Sequence, residues 1–222
     1  MFGALFNMDN PFWRLMNLLA QLIALSVVTA VMCLPVITAG AAVTALYAVT
    51  QKIVNQEGSS VLKNYFYAFR TNFRQATVTW LILLGAGALL GVDLYVVISG
   101  TGQATTVLTY LFLMLAGVWL LEISLVFPLL SRFDNTLKNT MKNALILGVS
   151  GFLPWSLLMM AVNALPIILV WYRFSWLLWV LTAMIFVGIA ASALINSLLF
   201  RSLTRRLIGA QKEPAGITDE KS

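Results

Sequence analysis

Between Leu15 and Gln51 the chain carries no charged residue. As one straight helix this run would be on the order of 55 Å long at the standard rise. The hydrocarbon core of a bilayer is only about 30 Å thick, and one spanning helix needs about 20 mainly apolar residues. The run is therefore too long for one crossing and too apolar for a soluble surface, so it has to bend. Pro35 and Gly40, within Cys33-Leu34-Pro35-Val36-Ile37-Thr38-Ala39-Gly40, are the candidate helix-break residues that mark the bend. The pattern predicts a first helix over Leu15–Leu34 and a shorter second one over Val36–Val54.

Similar apolar blocks recur along the chain. Ala76–Ile98, Thr105–Leu130, Asn143–Val170 and Trp176–Phe200 predict four more helices. The composition agrees: 60% of the residues are hydrophobic and 10% charged, where a soluble domain carries roughly 25% charge. The expected fold class is all-α, a polytopic transmembrane bundle of six helices, or five if Val36–Val54 does not cross. One transmembrane domain over residues 1–208 and a polar tail over 209–222 account for the length.

Most of the 14 basic residues fall in three places. These are the gap after the second helix, the gap after the fourth, and the end of the sixth. Positive charge gathers on the cytoplasmic side of membrane proteins, so with six helices both termini are expected in the cytoplasm, and with five the N-terminus lies outside. The same clustering explains the net charge of +6 without nucleic acid as a partner. Two of the basic stretches are amphipathic. Over Val61–Arg74, Leu62, Phe66, Phe69 and Phe73 share one helical face, with Lys63, Arg70 and Arg74 on an adjacent one. Lys138 and Lys142 repeat the arrangement beside Phe133, Leu137 and Met141. Such helices suit the inner leaflet, with rings at the acyl boundary and cations among headgroups. A helix packed on the cytoplasmic ends of the spans accounts for the pattern equally well, and the basic residues are candidate contacts for the inner leaflet or a partner.

Chemistry is sparse. There is no histidine, which removes the commonest general base and metal ligand. Cys33 is the only cysteine. No nucleophile–base pair, metal cluster or phosphate loop is legible, so no catalytic residue, metal or cofactor is expected. Asp93 and Glu122 are the acidic residues inside apolar blocks, each costing a few kcal/mol at a bilayer centre. They stand at different depths, Asp93 toward the outside with Arg173 as a partner within reach. Asn163 and Asn196 lie at depths comparable to Glu122 and complete the candidate intramembrane polar set. Pro154 and Pro166, with Gly148 and Gly151, make the fifth block the expected broken helix, a type of element that can free backbone groups for ligands. Gly87 and Gly91 permit close helix packing, expected within the chain.

Several of these pieces together resemble the YesL family of bacterial integral membrane proteins. They are Asn10-Pro11-Phe12, the Cys33–Gly40 motif, Thr44-Ala45-Leu46-Tyr47, Ala68-Phe69, Asn72-Phe73-Arg74-Gln75-Ala76-Thr77, Trp80 and Asp93. The resemblance implies a bacterial plasma-membrane protein, often encoded near oligosaccharide importers of the ATP-binding-cassette type. It implies no catalytic residues. The expected role is thus a non-enzymatic accessory to carbohydrate uptake that contacts an importer's membrane subunits. The alternative is a small solute transporter or channel with its path near Glu122 and the proline-broken fifth helix.

Overall fold

The computed structural model describes residues 11–55, 60–100, 103–133, 136–149, 153–172 and 177–212. Among them every regular element is helical: α1 (Pro11–Cys33), a 3-10 turn (Val36–Thr38), α2 (Ala39–Val54), α3 (Val61–Ser99), α4 (Gln103–Leu130), α5 (Leu137–Val149), α6 (Leu153–Tyr172), α7 (Leu177–Ala183), a π-helical turn (Met184–Gly188) and α8 (Ile189–Lys212). Five of the described helical segments are long and apolar enough to cross a membrane: Phe12–Cys33, Val36–Val54, Val61–Ser99, Thr105–Leu130 and Leu177–Ser202.

The bend occurs where Pro35 predicts it. α1 ends at Cys33, and Pro35 stands extended ahead of the 3-10 turn. A proline break leaves carbonyls without helical donors, which is costly away from water. Backbone N–H groups of Thr38 and Ala39 serve the Pro35 and Val36 carbonyls, and two side chains add further donors. Thr38 Oγ1 donates to the carbonyls of Met32 (2.6 Å) and Pro35 (2.9 Å), and Trp80 Nε1 of α3 donates to the Val36 carbonyl (2.7 Å). A Cβ at Gly40 would run into Trp80 Cβ and the Ala76 carbonyl. The glycine is therefore what lets α2 lie directly on α3.

One expectation is corrected. The amphipathic stretch Val61–Arg74 and the span Ala76–Ile98 are not separate elements but one helix of 39 residues. Nothing between Arg74 and Ala76 can stop a helix, and α2 packs along its first half. The fifth block is carried by two described helices, with residues 150–152 between them outside the described set. α5 already begins at Leu137, so Lys138 and Lys142 lie on it, and it ends at Val149; α6 begins at Leu153. Pro154 stands in the first turn of α6, where its missing N–H costs nothing, and Pro166 is accommodated inside α6. Gly151 lies outside the described residues. The last helix also runs past Arg201 and Gly209 to Lys212.

The core lies at the basic end of the bundle. Ser124–Leu130 of α4 is buried on every side, and α4 touches α2, α3, α5 and α6. Leu25, Val49, Tyr65, Leu125, Met159 and Phe200 are among its most enclosed members. α3 and α4 pack against each other through Gly87, where a Cβ would enter the Trp119 ring, and Trp119 Nε1 donates to the Leu83 carbonyl (2.9 Å). Gly91 has open space around it. The expected internal packing thus uses one glycine of the pair.

The helices are staggered. The α1–α2 turn is tied to Trp80, yet α3 continues to Ser99, about 28 Å further at the helical rise. Beyond Trp80, α3 and α4 expose Leu89 (69%), Val92, Tyr95 (74%), Val107, Tyr110 and Met114. The turn itself exposes Leu34 (78%), Val36 and Ile37.

Candidate functional site

α2, with Tyr47, Thr50 and Gln51, carries polar side chains at helical spacing toward its neighbours. So does α8, with Ser192, Asn196 and Ser197. Residues three or four apart share a helical face, so these groups form two stripes that meet. Asn196 is fully enclosed, and its Nδ2 donates to the Tyr47 hydroxyl (3.0 Å) and to Asn163 Oδ1 of α6 (2.9 Å). Asn163 Nδ2 donates in turn to Ser124 Oγ of α4 (3.4 Å). One amide pair therefore ties four helices together.

The file of polar groups continues toward the basic end. Thr50 Oγ1 and Ser197 Oγ are 2.8 Å apart. Gln51 Nε2 donates to the Pro128 carbonyl and to Ser131 Oγ, both at 3.0 Å. Arg201 Nη1 donates to the Val54 carbonyl (2.8 Å), placing a cation at the negative end of α2. No member between Tyr47 and Ser131 carries a formal charge. One atom stands out: Asn196 Oδ1 is buried without a hydrogen-bond partner among the described residues, a situation worth about 1–3 kcal/mol of instability.

Beside this file lies a cavity of about 400 Å³ between α6 and the α7–α8 helix. Asn163, Pro166, Leu169, Ala183, Gly188 and Ser192 are among its walls. The π-helical turn forms one side. A π turn shifts the hydrogen-bond ladder by one residue; here the Ile189 N–H reaches Met184 O, and the Ala190 N–H donates to Ser26 Oγ of α1 (2.9 Å).

The intramembrane polar set divides. Asn163 and Asn196 are brought into direct contact. Glu122 is partly buried on α4 and lines neither the cavity nor the file. Asp93 is exposed on α3. From the Gly87–Trp119 contact, Asp93 and Glu122 stand roughly 13 Å apart along the bundle, in keeping with their different depths. Arg173, the partner considered for Asp93, lies outside the described residues. The basic residues Lys63, Arg70, Arg74, Lys138 and Lys142 are all exposed. Leu62, Phe66 and Phe73 are exposed beside them, while Phe69 turns in against the core. Among the described residues no group of acidic, cysteine or histidine side chains could hold a metal ion.

Sequence reasoning missed Tyr47, Thr50, Gln51, Ser124, Ser192 and Ser197. Their signal was available as polar residues at three- and four-residue spacing inside apolar blocks.

Fold and site together define an all-helical protein with membrane-spanning character and an uncharged polar interior. Residues 10–94 match the family described as "Protein of unknown function, DUF624". That range contains the Pro35 break, Gly40, Tyr47 and Trp80. No curated protein and no solved structure matches the chain.

Proposed function

We propose that the protein is a non-enzymatic, multi-pass component of the bacterial plasma membrane that acts by holding another membrane protein. An oligosaccharide importer of the ATP-binding-cassette type is the partner we favour, on the YesL-like resemblance. The observation that carries the reading is the bonding of the polar interior. Tyr47, Ser124, Asn163 and Asn196 bond mainly to one another across four helices, which fixes a scaffold, while the exterior remains strongly apolar. Pulldown from native membranes is expected to recover importer membrane subunits, and deletion to lower oligosaccharide uptake. Background proteins alone, with uptake unchanged, would overturn it.

In this reading α6, 20 residues without a charge, is a sixth membrane helix, and the basic end faces the cytoplasm. The α1–α2 hairpin enters from that side, turns at Pro35 within the bilayer and returns. The stagger supports this: an upright hairpin reaching the outer surface would push the apolar ends of α3 and α4 well into water. Both termini are then cytoplasmic.

A second reading, a small transporter, draws on Asn196 Oδ1 and the uncharged file leading from the cavity to Gln51. Its path runs along Asn163 and Asn196 rather than Glu122. Reconstituted protein would move a neutral solute, and Ser192→Val, outside the amide pair that ties the helices, would impair the flux with the elution profile unchanged. Flux equal to empty liposomes across a solute panel rejects it.

A further inference from the structure

We infer that the cavity between α6 and the α7–α8 helix is a binding site for a neutral membrane lipid, one acyl chain within it and an uncharged hydroxyl or ester group at Asn163 and Ser192. The inference goes beyond the partner reading and stands independently of it.

Size comes first: about 400 Å³ lies within the roughly 300–1,000 Å³ range of small-molecule sites. Chemistry follows from the walls. Pro166, Leu169, Ala183 and Met184 offer apolar surface, and among the described residues no charged side chain lines the space. A charged headgroup placed there would lose its hydration without compensation. The two polar wall residues are complementary. Asn163 Nδ2 is a donor whose bond to Ser124 Oγ is a long 3.4 Å. Ser192 Oγ already donates to the Ile189 carbonyl (2.9 Å), which leaves its lone pairs as acceptors. A donor beside an acceptor matches a hydroxyl, which is both.

Access comes from the lipid side. Leu165 and Ile195 line the cavity and are exposed, on helices whose exterior is otherwise apolar. Both sides are also held in place. Asn163 is fixed by Asn196, and the π turn is fixed by the Ala190–Ser26 bond. The cavity is therefore a pre-formed shape between two anchored helices, which spares a ligand part of the ordering cost of binding.

The test uses full-length protein in nanodiscs of phosphatidylglycerol and phosphatidylethanolamine. The probe is a diacylglycerol with a photoactivatable diazirine in one acyl chain. Labelling is expected to concentrate on peptides from α6 and α7–α8. Excess unlabelled diacylglycerol should suppress it, whereas excess palmitate, whose carboxylate is charged, should not. Ala191→Phe, which fills the cavity, should reduce labelling of these peptides to the level of the lipid-facing side of α3. Ser192→Val, a change of similar size that removes the acceptor, should weaken competition by unlabelled diacylglycerol. Elution volume and melting temperature establish that each variant is folded. Uniform labelling of all apolar faces, no effect of Ala191→Phe in folded protein, or equal competition by palmitate would each overturn the site. So would crosslinking of this face to a protein helix in native membranes, since the occupant would then be a partner.

Discussion

Gly40 and Thr38 show how few atoms decide the first third of the chain. Gly40→Val would push a branched side chain into Trp80 and the Ala76 carbonyl. Overpacking of this kind typically costs about 1–3 kcal/mol, so the melting temperature in detergent should fall clearly. Thr38→Val keeps the shape but removes the hydroxyl that serves two carbonyls at the break. A loss of about 1–2 kcal/mol is expected, and Thr38→Ser should recover much of it; equal destabilisation by both variants would discount the hydrogen bonds. Pro35 and Gly40 were legible in the sequence because their effect is local, fixed by a ring and by a missing Cβ. Trp80 and Tyr47 were not legible in role, since the carbonyl and amide they meet lie far away along the chain.

At the level of elements, the positions of helices could be read from apolar blocks, but not all of their joins could. The connector and span of α3 looked like two pieces because their surfaces differ: one half meets α2 and the basic boundary, the other meets α4 and is otherwise exposed and apolar. A backbone has no reason to break where only its surroundings change. The proposed return of α1–α2 within the bilayer makes a direct prediction. In a Cys33→Ala background, Ser99→Cys should react with a membrane-impermeant maleimide added outside intact cells, and Ile37→Cys should not react from either side. Labelling of Ile37→Cys from outside would show that the hairpin crosses. The uncharged file across α2, α4, α6 and α8 was the part least visible beforehand, since it exists only once the helices are assembled.

For the molecule as a whole, the exposed cations Lys63, Arg70 and Arg74 sit beside exposed Leu62, Phe66 and Phe73. Each base near an anionic surface contributes about 1 kcal/mol of attraction. Wild-type protein should melt higher in nanodiscs rich in phosphatidylglycerol than in purely zwitterionic ones, and replacing all three bases by alanine should erase most of the difference. High salt should shrink it too. An unchanged difference in the triple variant would move the contact elsewhere. The stagger of the helices also bears on the membrane itself. At the basic end the cross-section includes α1 and α2, whereas near Ser99 those two helices contribute nothing. In the proposed placement the molecule is a wedge that spreads one leaflet more than the other. A wedge is better accommodated where the membrane curves away from its broad end, so the bilayer's own bending elasticity would draw this protein toward regions convex on the basic side.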